Sequence, residues 1–252
     1  MKPPKFPAFH LLSVSALWMS VALSARADAA ADLKTVLSKL DGQEPLKAHV
    51  DYTVSSTSGD EDKKSAAKAA TVSAQIEAGP EGLRILWSRE QIESAEDSTK
   101  SNPQVGRAMN ELSATHLNGY LNGASEMLRN LERAQLTEEK SVSWESHPAR
   151  LLVFKITPEL SEKDRKYIKQ LDTQARIWIG ADGVPLAAEK ELHVKGRALL
   201  VITFEQTEKE QYRFQRVGNR LVVVQHLKES AGSGGGESGQ QTSRADLKVE
   251  KS

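Results

Sequence analysis

The sequence predicts an α+β protein: a strongly curved antiparallel sheet, an unclosed half-barrel, with an N-terminal helix and an inserted helical segment covering one face. Three patterns lead to this fold class. Most of the chain alternates apolar and polar residues with a period of two, which is typical of strands. The apolar period becomes helical between residues 90 and 134. Several strands are apolar on both faces, so both faces must be covered.

The N-terminal segment predicts export. Two lysines precede an uncharged stretch over residues 11–25, and Ala25-Arg26-Ala27 then offers the small residues that a signal peptidase recognises. An uncleaved anchor is the alternative, but the uncharged run of about 15 residues is shorter than the roughly 20 that cross a bilayer. We therefore expect a signal peptide over residues 1–27, cleaved after Ala27 or Ala29. The mature protein is expected to be periplasmic, without stable membrane insertion.

Composition limits the function classes. The chain has 252 residues, with 34 basic and 34 acidic side chains and no cysteine. Removal of residues 1–27 takes away three basic residues and no acidic one, which leaves a slightly acidic protein. A nucleic-acid-binding protein would show a basic excess, so we expect no nucleic-acid partner. Without disulfides the fold depends on its core alone, and we expect a single domain over residues 28–230.

The first part of this domain is predicted to be a helix followed by strands. Leucine and valine residues between positions 33 and 40 repeat at helical spacing and predict a short amphipathic helix. Residues 46–54 alternate as a strand, and the charged segment 56–68 is expected to be a solvated loop. Residues 72–87 alternate on both sides of a Gly- and Pro-containing turn, which predicts a hairpin.

A helical insert is predicted over residues 90–134. Asn102 and Pro103 are a favourable N-cap and first helical residue, and an apolar stripe follows at helical spacing. Asn118-Gly119 and Asn122-Gly123 interrupt this stripe before it resumes. The pattern indicates two helices with a break, and we expect them to cap the sheet.

The second half is predicted to be mostly strand. Strand character appears at residues 141–145 and 150–157, and Thr157-Pro158 is a favourable start for a third helix. From residue 173 to 228 the alternation predicts a meander of consecutive hairpins. Its expected turns are at residues 181–185, 195–197 and 217–220.

The C-terminal residues change in composition. The Gly- and Ser-rich segment 231–243 predicts a flexible linker. Residues 244–252 alternate again, and either a final edge strand or a frayed tail fits them.

The strand at residues 150–156 illustrates why both sheet faces need cover. Leu152 and Phe154 point to one side, while Leu151 and Val153 point to the other. Either helices pack on one face while the other curls toward itself, or one face lines a cavity for an apolar guest. The candidate ligand-binding residues lie on apolar strand faces, and each of them could either contact a ligand or pack in the core. They are Tyr52, Trp87, Phe154, Ile177, Ile179 and Phe204.

The order of elements resembles a known family. The chain is expected to be exported, to begin with an amphipathic helix and to continue as a long antiparallel strand series interrupted by helices. In the block Ile177–Leu186, a strand ends in an Asp- and Gly-containing turn followed by Pro. Together these features resemble the LolA/LolB-like lipoprotein-carrier superfamily. This resemblance implies an unclosed curved sheet whose concave side, under the helices, holds acyl chains. Relatives also include periplasmic sensors of envelope stress, so the fold leaves the function open.

The sequence offers no pattern typical of catalysis or metal binding. The histidines of the mature chain are each alone in their segments, whereas zinc sites need ligands at short fixed spacings. No serine lies in a Gly-x-Ser-x-Gly motif. We therefore expect a non-catalytic protein without a cofactor or metal.

Two functions remain open at this stage. The first is a periplasmic binding or carrier protein for an apolar ligand, either a lipid or the acyl chains of a lipoprotein. The second is a structural or regulatory adapter of the cell envelope, with a fully packed core and a protein partner. A cavity between the sheet and the helices would favour the first.

Overall fold

The computed structural model describes residues 29–60, 63–64, 68–96, 103–198 and 202–250. The expected signal peptide at 1–27 lies outside the described residues. The helices are α1 (29–38), α2 (Arg89–Glu96), α3 (Pro103–Glu111), α4 (Ala114–Leu121), α5 (Gly123–Leu131) and α6 (Glu162–Arg165). Within the described residues, none of them is both long and apolar enough to cross a membrane.

In the described part of the chain, eleven antiparallel strands form one sheet. They are β1 (Leu46–Asp60), β2 (Lys63–Lys64), β3 (Lys68–Gly79), β4 (Gly82–Trp87), β5 (Ala134–Trp144), β6 (His147–Ile156), β7 (Ile168–Ile179), β8 (Pro185–Ala198), β9 (Ile202–Val217), β10 (Arg220–Gly234) and β11 (Glu237–Val249). Their order is β4-β3-β1-β11-β10-β9-β8-β7-β6-β5, with β2 beside β1. No ladder between described residues joins β4 to β5, so the sheet is an open half-barrel and the predicted fold class is confirmed.

The helices cover the concave face in two groups. Leu112, directly after α3, and Leu117 and Leu121 of α4 pack on β1, β3, β10 and β11, where Val50 and Ile76 are buried. The leucines of α1 and the apolar side of α5 pack on β6 and β7. The predicted amphipathic α1 and the predicted helical insert therefore cover one face, although the described residues of the insert form four helices rather than two.

Residues 231–243, expected to be a linker, belong instead to the β10–β11 hairpin. Gly235 and Gly236 form its turn with φ of 65° and 88°, a conformation that glycine adopts without the steric cost of a Cβ. β11 lies between β1 and β10, so the C-terminal strand is interior rather than an edge strand or a tail. The backbone of this Gly- and Ser-rich segment hydrogen-bonds to a strand on each side, which overrides its low intrinsic strand preference.

Three local expectations were wrong. The third helix is shortened to α6, where Ser161 caps the helix by accepting a hydrogen bond from the Asp164 backbone N–H, and β7 already begins at Ile168. β1 extends into the polar segment as far as Asp60. No turn occurs at residues 195–197, because Gly196 lies within β8 directly opposite Phe204.

The second apolar face of β6 is covered by side chains of the sheet itself. Leu151 pairs with Trp178, and the Trp178 and Trp144 rings lie 4.9 Å apart on this convex face. Val153 is buried on the same face. The helices therefore do not need to cover both sides of this strand.

Candidate functional site

A cavity of about 740 Å³ lies between the concave face of the sheet and helices α4 and α5. One part of its wall is apolar, since Phe154 and Ile177 from the sheet face Met127 and Leu131 from α5. Small side chains leave the space open: Ala175 and Ala188 line the floor. The sheet and the helices therefore do not fill this volume with their own side chains.

α5 approaches the sheet closely because it begins with a glycine. A Cβ on Gly123 would lie 3.0 Å from the backbone oxygen of Leu221 in β10. That distance is shorter than an ordinary van der Waals contact, so a larger residue would push α5 away from the floor. The position of this cavity wall thus depends on one backbone contact.

The cavity floor changes in polarity along the strands. Cross-strand pairing arranges the concave side chains in rows that run from β7 to β1. Row 1 is Ile177, Ala188, Tyr212, His226, Ala245 and Tyr52; row 2 is Ala175, Lys190, Glu210, Lys228, Ser243 and Val54; row 3 is Thr173, Leu192, Glu208, Ser230, Gln241 and Ser56. The face is thus mostly apolar and aromatic in row 1 and polar in rows 2 and 3.

Glu210 is the centre of a hydrogen-bond network on this floor. Its carboxylate accepts hydrogen bonds from Lys190 Nζ at 3.2 Å and from the Tyr212 hydroxyl, and His226 Nε2 lies 3.3 Å from it. The Tyr120 hydroxyl of α4 lies 2.8 Å from the other ring nitrogen of His226, and the His226 ring stacks on Tyr212 at 4.4 Å. His226 thus links the Tyr120 hydroxyl of α4 to the Glu210 carboxylate of β9.

The network holds Glu210 ionised. Burial would raise the pKa of Glu210, but the hydrogen bond from His226, the charge of Lys190 and the other hydrogen bonds together hold it far below its ordinary value. Burial raises the pKa of Tyr120, and the negative charges of Glu210 and Glu111 raise it further. Burial likewise raises the pKa of Tyr212, beside the charge of Glu210. The carboxylate therefore stays charged and the two phenols stay protonated near neutral pH.

A second ion pair continues the polar surface. Lys228 Nζ lies 2.8 Å from Glu208, and the exposed fractions of the two side chains are 36% and 14%. Lys190 and Glu210 show the same difference, at 38% and 11%. Two lysines and two glutamates therefore compensate each other on the floor, with the carboxylates more deeply buried than the ammonium groups.

Helix α3 is attached to the polar side of the cavity through Glu111. Its carboxylate accepts hydrogen bonds from the Tyr52 hydroxyl of β1, from Gln241 Nε2 of β11 at 3.2 Å and from Arg107 Nε at 2.9 Å. Burial and the hydrogen bond to Glu111 raise the pKa of Tyr52, so it remains a donor. Helix α3 thus contacts this part of the floor through specific hydrogen bonds as well as through apolar packing.

The six residues predicted to bind a ligand lie in different places. Tyr52, Phe154 and Ile177 line the cavity. Ile179 is buried in the core beside α1, and Trp87 packs half-buried against the core from β4. Phe204 lies away from the cavity over Gly196, where a Cβ would come within 2.1 Å of its ring. The structure therefore brings three of the six together.

Sequence reasoning missed the polar half of the site. Glu208, Glu210 and Tyr212 alternate on one face of β9, and this pattern is a weak signal of a floor that is not simply apolar. His226 and Lys228 show the same spacing on β10. That the two sets are adjacent follows only from the register of β9 and β10.

No protein-family model and no curated protein matches the sequence. Among solved structures, the chain is similar to a LolA superfamily protein from Nitrosomonas europaea, with 12% identity, a TM-score of 0.27 and coverage of 87% of this chain and 94% of that one. It is also similar to TldE from Thermococcus kodakarensis, with 15% identity, a TM-score of 0.16 and coverage of 81% and 42%. The first similarity agrees with the resemblance predicted from the sequence, and at these TM-scores neither carries a functional argument.

Proposed function

We propose that this protein is a non-catalytic periplasmic carrier that holds the acyl chain of a lipid or lipoprotein in the cavity under α4 and α5. The observation that supports this function is the cavity itself, whose lining includes the apolar residues Met127, Leu131, Phe154 and Ile177 at the edge of the core. A fully packed core, which an adapter without a ligand would have, does not account for that space.

The size and chemistry of the cavity suit an alkyl chain. Its volume of about 740 Å³ lies in the range of roughly 300–1,000 Å³ typical of pockets for small ligands. Moving an alkyl chain from water to an apolar wall contributes about 0.8 kcal/mol per buried methylene. No reacting group or cofactor is needed for this function. The export signal predicted from residues 1–27 supports a location in which a soluble lipid carrier is useful.

A substitution that fills the cavity tests the proposal. Ala188 lies on the floor beside Ile177 and Tyr212, so an Ala188→Phe side chain would occupy ligand space. We expect about tenfold weaker binding of a fluorescent dodecanoyl probe, because overpacking a filled site costs roughly 1–3 kcal/mol. Ala181→Phe is the matched control, since Ala181 is exposed in the β7–β8 turn. Probe titration and thermal unfolding should be measured for both variants.

Two outcomes would contradict the carrier function. One is undiminished probe binding in folded Ala188→Phe. The other is a wild-type protein that binds no acyl probe and that native mass spectrometry, after purification from its own envelope, finds at the mass of the bare chain. Co-purification of a lipid that Ala188→Phe loses and Ala181→Phe keeps would support it.

A further inference from the structure

The end of the sheet opposite α1 carries exposed apolar side chains. In the described part of the chain, the large apolar residues that are exposed are Leu86, Ile92, Tyr167 and Ile202. Tyr167 and Ile202 are each 39% exposed and lie close together. The Arg197 backbone N–H donates to the Tyr167 carbonyl at 2.8 Å, and Ile202 pairs with Ala198, the next residue along β8. Isolated exposed apolar residues are common, whereas neighbouring ones at a strand end indicate a contact surface.

Basic side chains surround these two residues. They come from α6 and the turn after it, from β7 and from β8, and all of them are exposed: Arg165, Lys166, Lys169, Lys195 and Arg197. Within the described residues, Lys195 alone of this set forms an ion pair, with Glu205. We call this basic set, together with Tyr167, Ile202 and Phe204, the strand-end surface.

The strand-end surface is positive, although the whole chain has as many acidic as basic residues. The acidic residues of segments 162–169, 195–197 and 202–205 are Glu162, Asp164 and Glu205. Glu205 is compensated locally by Lys195 and by a contact with His193. The excess of basic groups therefore remains available to an anionic partner.

A recess of about 520 Å³ lies among the basic side chains. Its lining includes Lys169, Lys195 and Arg197 together with Phe204. The Phe204 ring lies over Gly196, where a Cβ would overlap it, so the ring forms an apolar wall between the cations. The recess thus offers cationic donors and an apolar contact side by side.

The strand-end surface continues the face that forms the cavity floor. Glu208 and Gln206 of β9 line the cavity under α4 and α5. Phe204 and Ile202 follow with the same alternation toward the start of the strand. Two residues advance a strand by about 7 Å, so Phe204 is the next side chain along this face beyond the polar end of the cavity.

We infer that the strand-end surface docks the protein on a bilayer that contains anionic lipids. Tyr167 and Ile202 enter the boundary between head groups and acyl chains, and the basic side chains contact the lipid phosphates. Attachment to a membrane surface strengthens with the apolar area buried and with the attraction between basic residues and anionic lipids, and this surface provides both. Tyrosine and the long lysine side chains suit this boundary because each has an apolar body and a polar end. The surface goes beyond the carrier function, which concerns the cavity alone.

Co-sedimentation of the mature protein with vesicles tests the inference. We expect binding to vesicles of phosphatidylcholine and phosphatidylglycerol in equal parts, much weaker binding to phosphatidylcholine alone, and release by high salt, which screens the basic groups. Equal binding to both vesicles, or binding that salt does not weaken, would overturn the inference. Binding to neither would overturn it and point to an acidic protein as the partner. The dodecanoyl probe titration reports on the carrier function independently of these results.

Paired charge substitutions locate the docking surface. Lys169→Gln combined with Arg197→Gln should weaken binding to the anionic vesicles about 25-fold, because each basic residue near such a surface contributes about a factor of five. Lys34→Gln combined with Lys39→Gln is the matched control. These lysines are exposed on α1 and directly after it, and α1 packs beside Ile179 at the other end of β7. An equal loss of binding in both pairs, with circular dichroism showing folded proteins, would overturn the proposed position.

A fluorescent label tests whether the apolar part enters the bilayer. The chain has no cysteine, so Ile202→Cys can carry one environment-sensitive fluorophore at a single position. Ile92→Cys is the control, because Ile92 lies on α2 and is 40% exposed, against 39% for Ile202. On anionic vesicles the emission of the label at position 202 should shift to shorter wavelength, while the label at position 92 should not change. An unshifted label at position 202 on vesicles that bind the protein would overturn the proposed orientation.

Discussion

Glu210 determines the character of the polar floor at the scale of single residues. It is a buried carboxylate that stays ionised because Lys190, His226 and Tyr212 all contact it. A buried carboxylate without such partners would be protonated instead. The charge compensation on the cavity floor therefore originates in this side chain and its neighbours.

In the Glu210→Gln variant, the free energy of unfolding should change less as the pH falls into the acidic range. Because the folded-state pKa of Glu210 lies below its ordinary value of 4.5, its contribution is fully present above that pH and is lost as the pH falls through the lower folded-state pKa. The free energy of unfolding of the variant at pH 7 should be lower by about 1–3 kcal/mol. The reason is that Lys190 and His226 would then face an uncharged amide instead of a carboxylate. Urea denaturation from pH 7 to pH 3 would measure both effects.

Glu205→Gln provides the comparison for this prediction. Glu205 is on the same strand and bonds to His193, but its side chain is 46% exposed. Water screens such a pair, so we expect a much smaller change at every pH. If the pH dependence of Glu210→Gln were as steep as that of the wild type, the network would not stabilise the fold in the way described.

At the scale of elements, the two helices over the cavity are held by different contacts. α4 is tied to β10 by the Tyr120–His226 hydrogen bond, and α5 by the close approach of Gly123 to Leu221. α3 is tied to β1 and β11 through Glu111. The cavity exists because these contacts fix the helices while small side chains leave the floor open.

Two glycines in neighbouring helices should respond oppositely to alanine. Gly123→Ala places a Cβ 3.0 Å from the Leu221 oxygen and should destabilise the protein by about 1–3 kcal/mol. Gly119→Ala meets nothing within 4 Å and should stabilise α4 by about 0.5–1 kcal/mol, since alanine favours the helix. Chemical denaturation of both variants would check the pair. A stabilising Gly123→Ala would show that α5 does not lie against β10 as described.

At the scale of the whole molecule, the last strand completes the sheet. β11 separates β1 from β10, so it joins the N-terminal hairpins to the meander. Ala245 and Leu247 of this strand are buried in the core under α3 and α4. The C-terminal segment is therefore part of the sheet as far as Val249.

A chain ending at residue 234 should fail to fold cooperatively. Loss of β11 would expose the backbone of both β1 and β10 and would remove buried apolar residues from the core. Removal of residues 250–252 alone should leave the melting temperature within a few degrees of the wild type. Circular dichroism and thermal unfolding distinguish these results. A cooperative transition in the shorter chain would mean that β11 is dispensable.

Much of the fold could be predicted because it depends on local patterns. The leucines of α1 repeat at helical spacing, and the residues of β1, β7 and β10 alternate, so element type and fold class follow from the side chains themselves. The prediction for residues 231–243 was wrong because glycine and serine carry no such pattern. These residues are strands because they hydrogen-bond to a strand on each side, and the sequence pattern does not show which strands those are.

The sequence alone therefore determined the helix and strand periods, the half-barrel class and three cavity residues, Tyr52, Phe154 and Ile177. The tertiary structure alone decided that β11 is interior and that Glu210, His226 and Lys190 meet on one floor beneath Tyr120. The physical reason is that periodicity is a property of successive residues. Strand neighbours and register depend on backbone hydrogen bonds and packing between segments far apart in the chain.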